Sequence, residues 1–225
     1  NTSVTLTSPK RGDRLFLKFY RRARAGINPE LEVGRYLTEV AHFPHCVPLA
    51  GSIDYVPAAA EPAKGKGAEP PPAAATLALL QVYVPNQGDA WTYTLNYRDR
   101  FLEDRRSASA PASGAEAHGA YLMLVRTLAT RTAELHRAFA LRSGDPAFEP
   151  EALTAQDVEA WKAGVRREAE ETLPLLKEHA IGRAQLLARI DACAAPAAPA
   201  LKTRHHGDYH LGQVLLANND FYIID

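Results

Sequence analysis

Cysteine is scarce: Cys46 and Cys193 are the two in 225 residues. That is too few for a disulfide framework, and a reducing cytoplasm is the expected compartment. A charge excess of either sign is also lacking. The 26 basic and 26 acidic side chains cancel to a formal net charge of zero, which argues against a dominant nucleic-acid or anionic-membrane footprint. No apolar run approaches the roughly 20 residues that span a bilayer. The opening NTSVTLTSPKRGDRLFLKFY lacks the charged-then-apolar layout of a signal peptide. Neither nucleic acid nor membrane is therefore expected as a partner. No internal repeat is visible. Asn1 stands where an initiator methionine would, and a strand-like run closes on Asp225 without a turn or tail, the pattern of a fragment of a longer polypeptide.

Apolar residues are plentiful, at 46% of the chain, enough to bury a core in one large domain or two lobes. The first third reads as strands around one helix. SVTLTS and RLFLKFYR alternate on either side of PKRGD, the pattern of a β-hairpin. NPELEVGRYLTEV follows, with Asn28 as N-cap, Pro29 at the first helical position and acids in the first turn. Val33, Tyr36, Leu37 and Val40 form a stripe at i, i+3, i+4 and i+7 that predicts packing on the sheet. LAGSIDYVP and ATLALLQVYVP are further strands, separated by a Pro/Ala/Gly/Lys loop over about 57–75 that cannot build a core.

Beyond Pro85 the pattern turns helical. YLMLVRTLATRTAELHRAF sets Leu122, Val125, Leu128, Ala129, Thr132, Leu135, His136 and Phe139 on one face, with His136 expected in the core. TAQDVEAWKAGVRREAEETL opens on Thr154 with Asp157 three residues on, a capping pair, and RAQLLARIDAC adds a further helix. SASAPASGAEAHG is a second low-complexity loop. The expected class is α+β, with a β-rich N-terminal lobe over 1–84 and a helical lobe over 85–225 that carries a loop at 204–225.

That loop, RHHGDYHLGQVLLANNDFYIID, carries the chemistry. His206, Asp208 and His210 share one face at a strand's period of two and are zinc-ligand types, but a structural site usually needs four ligands and no second cluster supplies the rest. A polar loop before a buried strand is the plain alternative. A third reading absorbs more residues. In the kinase catalytic loop H-R-D-x-x-x-x-N, Asp accepts the substrate hydroxyl proton and Asn binds magnesium, and a later Asp holds the second metal position. Here Gln213 stands five residues after Asp208, with the same amide oxygen on a longer arm. VLLANNDFYIID then gives strand, turn and strand, ending on Asp225. The first third supplies the matching half: Lys18 on a strand, and Glu30 or Glu32 on the one helix to hold it. Thr2 and Ser3 would belong to a phosphate-covering hairpin, and Gln81, Tyr83 and Val84 to the strand that meets adenine.

The segments LFLKFYRRARAGINPELEVGRYLTE, LLQVYVPNQGDAWTYTL, RTAELHRA and HGDYHLGQVL with DFYIID resemble the maltokinases, sugar kinases of the aminoglycoside-phosphotransferase-like group. The likeness covers most of the chain outside the two low-complexity loops and the helices around 155–195. It implies an incomplete kinase-like two-lobe fold, ATP with magnesium (manganese as a substitute), and maltose phosphorylated at its anomeric hydroxyl, in trehalose and glycogen metabolism. Trehalose synthase is the implied fusion or association partner. Asp208 would be the catalytic base, Gln213 and Asp225 the metal ligands, Lys18 the phosphate contact and Glu32 its partner. His210 is a sugar-contact candidate against loop packing. Trp91 is one against packing, and Asp89 reads as a helix cap. Another sugar, glucosamine or an aminoglycoside is the alternative acceptor, and a non-catalytic nucleotide-binding module the alternative class. A polycationic aminoglycoside would call for an acidic pocket, and no acidic cluster adjoins the loop.

Overall fold

The computed structural model of the chain describes residues 1–7, 14–57, 73–107, 118–175 and 182–224. Strands β1 (Thr2–Thr7) and β2 (Arg14–Phe19) pair antiparallel, with Ser3 opposite Lys18 and Thr7 opposite Arg14. β3 (Leu49–Tyr55) and β4 (Ala75–Val82) complete a four-stranded sheet in the order β1-β2-β4-β3. β4 reads ATLALLQV, an apolar run rather than an alternation, as suits an inner strand covered on both faces. Ala78 and Leu79 are fully buried there, whereas the edge strand β1 is exposed along its length.

Helix α1 (Pro29–Arg35) starts as its sequence dictates. Asn28 accepts the Glu30 and Leu31 N–H groups on its side-chain oxygen at 3.0 and 3.1 Å, and Pro29 fills the first turn. The helix then widens into a π-type turn over Tyr36–Val40. Tyr36 and Leu37 are buried, but Val40, expected on the same stripe, is exposed. A π-type turn takes an extra residue per turn, which rotates the later positions out of phase with the stripe. Tyr36 stacks on Phe139 with ring centroids 6.3 Å apart and donates its hydroxyl to the Ala138 carbonyl at 3.1 Å.

Helices α2 (Ala90–Ser107) and α3 (Gly119–Phe139) follow. Leu135, Ala138 and Phe139 are buried on α3, while Leu122 and Val125 are largely exposed. His136, expected in the core, is exposed. At about 100° per residue it lies a quarter-turn or more from Leu135, outside the narrow buried face. Later in the chain, β7 (Val214–Ala217) and β8 (Asp220–Ile223) form a hairpin. Its two-residue turn, Asn218-Asn219, has φ of 53° and 60°, the left-handed pair of a type I′ turn that asparagine tolerates. Val214, Leu216 and Phe221 join Ala90 in a buried cluster, flanked by Tyr93, Leu124, Leu128, Tyr209 and Leu211.

The described chain divides into two compact units, 1–139 with 205–225, and 140–204. Backbone bonds from Leu216 to Gly88 and from Gln87 to Leu216, at 3.0 and 2.8 Å, tie the strand after residue 205 to the segment following β4, so sheet, α2, α3 and hairpin form one unit.

The second unit holds α4 (Ala155–Thr172), α5 (Arg183–Asp191) and the short pair β5 (Glu151–Ala152) with β6 (Leu201–Lys202). Thr154 and Asp157 make the expected reciprocal capping box on α4. Lys202 reaches Asp157 at 2.8 Å and Glu151 at 3.0 Å. Among the described residues no helix is long and apolar enough to cross a membrane.

Candidate active site

A cleft of about 310 Å³ opens between the sheet and the β7–β8 hairpin. Alternation along the strands decides its walls. Phe16 and Lys18 come from β2, Ser3 from β1, and Gln81 to Val84 from the end of β4 and the residues beyond. Val47, Leu215 and Ile224 supply apolar surface, and Asn86 stands in the segment beyond β4. Ser3, Lys18, Gln81, Tyr83 and Val84, all singled out from sequence, are thus brought together. Thr2 lies one residue from Ser3 and so on the other face of β1.

Strand geometry also orients the backbone beyond β4. Val82 donates its N–H to the Pro48 carbonyl at 2.9 Å, and Tyr83 donates to the Arg14 carbonyl at 3.0 Å on the opposite edge. Asn86 braces the exit, donating to the Val84 carbonyl at 2.8 Å and accepting from the Gly88 N–H at 3.0 Å.

On the cleft wall, Lys18 donates to both carboxylate oxygens of Glu30, at 2.9 and 3.0 Å. The two side chains are only 11% and 17% exposed, so the pair is shielded enough to hold a fixed geometry. The Tyr20 hydroxyl donates to the same carboxylate. Glu30 thus holds Lys18 through both oxygens; the resemblance named Glu32, which stands in the same first turn. Tyr20 is a site residue that sequence reasoning passed over, although it stands two residues beyond Lys18 on the same strand face.

The loop at 204–213 is tied to the end of the hairpin at Ile224. His206 bonds the Ile224 carbonyl through Nε2 at 2.9 Å. Gly207 has φ of +87°, a left-handed conformation that the arginine of H-R-D loops would take only under strain. Asp208 projects from the loop with its side chain 80% exposed. Tyr209 bonds Thr132 of α3, oxygen to oxygen, at 2.7 Å, a tether that sequence alone did not reveal. His210 accepts the Gly212 N–H on Nδ1 at 3.0 Å and caps the 3₁₀ turn Leu211–Gln213. A Cβ on Gly212 would come within 2.8 Å of the His210 ring, so glycine is required for that cap. The outward Nε2 of His210 lies 4.0 Å from Asp208 Oδ2.

Gln213 is bound to the end of β8: its carbonyl accepts the Ile224 N–H at 2.9 Å. Asp225 lies outside the described residues. For a magnesium ion the donors on offer here are oxygens, the ligand type it takes. His206 and His210 are engaged with backbone groups, and no group of three metal-capable side chains occurs among the described residues. Gln213 would contribute its amide oxygen, with Asp225 next in the chain after Ile224. Asp89 caps α2, accepting the Thr92 N–H at 2.8 Å, and this bond holds its carboxyl below the usual carboxylate range. Trp91, in the first turn of α2, is 54% exposed.

This mixed α/β fold is similar to that of solved glucosamine kinases. The chain superposes on a glucosamine kinase solved in complex with glucosamine, ADP and inorganic phosphate, with a TM-score of 0.56 and 20% identity over 98% of this chain and 48% of that one. A second crystal form of a glucosamine kinase gives a TM-score of 0.56 and 22% identity, over 99% of this chain and 50% of that one. In sequence it is 30% identical over 168 residues to a glucosamine kinase of Streptacidiphilus jiangxiensis, which covers 71% of this chain and 33% of the relative. The chain thus spans about a third of the curated relative's length and about half of each solved structure. No protein-family model matches it.

Proposed function

We propose that this chain carries the nucleotide cleft and phosphoryl-transfer loop of an ATP-dependent sugar kinase of protein-kinase-like two-lobe design, with an amino sugar of the glucosamine type as acceptor. The observation that carries the reading is the cleft itself. Lys18, fixed by Glu30, lines it together with the backbone beyond β4, and the Asp208 loop is tied to the same hairpin that walls it. The sequence relative and the two solved structures described above are glucosamine kinases, which favours glucosamine over maltose.

In this mechanism the apolar walls accept the base, and Lys18 places its charge on the nucleotide phosphates. Asp208, exposed on a loop whose ends are pinned, orients the acceptor hydroxyl and takes its proton. Magnesium, when bound by Gln213 and Asp225, supplies neutralising charge at the phosphates. Most of the rate then comes from positioning and electrostatic stabilisation rather than covalent chemistry. His210 Nε2 and Trp91, both outward-facing, are the side chains offered to the sugar. A cytoplasmic setting, where ATP and free thiols coexist, goes with this activity.

Maltose is the second reading, favoured by the segments VPNQGDAW and HGDYHLGQVL. The full-length protein should release ADP with a sugar panel in the order glucosamine, then glucose, with maltose and aminoglycosides poor. A coupled ADP assay measures this, and phosphorus-coupled NMR locates the product phosphate. Turnover on maltose above that on glucosamine, with phosphate at the anomeric oxygen, would replace the amino-sugar reading. No nucleotide turnover with any sugar would sink both.

A further inference from the structure

The hairpin that ends beside the phosphoryl-transfer loop is gripped at its far end by a helix. Arg131 of α3 donates from Nε to Asp220 Oδ1 at 2.8 Å and from Nη2 to Oδ2 at 2.7 Å, a bidentate pair. Its Nη1 donates to Glu134 at 2.9 Å. Asp220 follows the Asn218-Asn219 turn directly and also accepts the Phe221 N–H at 2.7 Å. His45 Nδ1 lies 3.9 Å from Asp220, and the His45 carbonyl accepts the Ile223 N–H at 2.8 Å.

A type I′ turn with asparagines needs no distant arginine to form, and the strands are already buried in an apolar cluster. A half-buried ion pair gives little net stability after desolvation, but its planar fork fixes orientation. What would move if the hairpin pivoted is the other end. There Ile224 holds His206 and Gln213 through its carbonyl and N–H, and Asp225 comes next.

We infer that Arg131 and Asp220 are positioning residues, a brace from α3 that sets the hairpin so that Gln213, held through Ile224, meets the metal of the bound nucleotide. This rests on the kinase reading above. The test uses the full-length protein, with Mn²⁺ as probe, titrated by electron paramagnetic resonance at saturating ADP, and with ADP alone titrated by calorimetry without metal. Arg131→Lys and Asp220→Asn should each weaken Mn²⁺ binding on the order of 10- to 100-fold, the usual cost of disturbing the groups that orient metal ligands. Metal-free ADP binding should stay within about twofold, and the exchanged pair Arg131→Asp with Asp220→Arg should recover most of the loss. Should the arginine variant not fold, Asp220→Asn, which keeps size and the acceptor for Phe221, decides alone. Unchanged Mn²⁺ affinity, or ADP affinity falling in step without metal, overturns the brace. A wild-type protein with no ADP-dependent Mn²⁺ binding instead overturns the kinase reading on which it stands.

Discussion

Asp208 is the residue on which the proposed chemistry turns, and the structure leaves its carboxylate open to an incoming hydroxyl while its neighbours are tied down. His206 holds the β8 end, Tyr209 the helix α3, and His210 its own 3₁₀ turn. Asp208→Asn keeps size and loses the proton acceptor. It should lower turnover on the order of 10²–10⁴-fold, the usual share of general-base catalysis, while ADP affinity by calorimetry stays unchanged. Near-normal turnover would remove Asp208 from the mechanism. The two thiols differ as sharply. Cys46 is buried, donates to the Phe43 carbonyl at 3.2 Å, and is pushed up to about 11 by burial. Cys193 is exposed. A thiol reagent at neutral pH should therefore modify Cys193 quickly and Cys46 only on unfolding. Mass mapping of the labelled peptides reads this, and fast labelling of both would contradict the buried position.

At the level of elements, caps and paired charges set where helices begin and which conditions undo them. Asn28→Ala strips two N–H groups of α1 of their acceptor and should cost about 1 kcal/mol in a denaturant titration. Because Glu30 sits in that first turn, the variant should also raise the KM for ATP. A stability loss with KM intact would separate cap from site. Acid gives a second handle. Bonding to Lys202 and Thr154 brings Asp157 down to about 2, from an ordinary 3.8, and bonding to Arg131 holds Asp220 below the same value. With folded values below unfolded ones, both carboxylates favour the folded state fully above pH 3.8. That contribution is lost as pH falls through the folded values. These two groups predict no stability change from pH 7 to 5 and a decline between about pH 4 and 2. Lys202→Ala should flatten the decline, as followed by urea midpoints across that range.

For the whole molecule, the sugar panel tests the activity, and what each level of information could supply follows from physical range. Local signals were readable because local forces make them. The Asn28 cap, the Thr154–Asp157 box, the paired asparagines of the hairpin turn and the alternation of β2 depend on residues within a few positions of one another. The candidate residues of the proposed chemistry were local as well: a basic strand residue, an H-G-D loop and an amide five residues on. Packing phase was not. The π-type turn that exposes Val40 and the narrow buried face that leaves His136 in solvent are set by what α1 and α3 pack against. Nor could spacing choose between Glu30 and Glu32, because which carboxylate meets Lys18 depends on how the helix lies on the sheet. The Arg131–Asp220 and Tyr209–Thr132 pairs join positions 89 and 77 residues apart. Sequence by itself determined the elements and their caps. Only the tertiary structure decided which side chains meet, because a contact between distant positions is selected by the packing of whole elements and leaves no local periodicity to read.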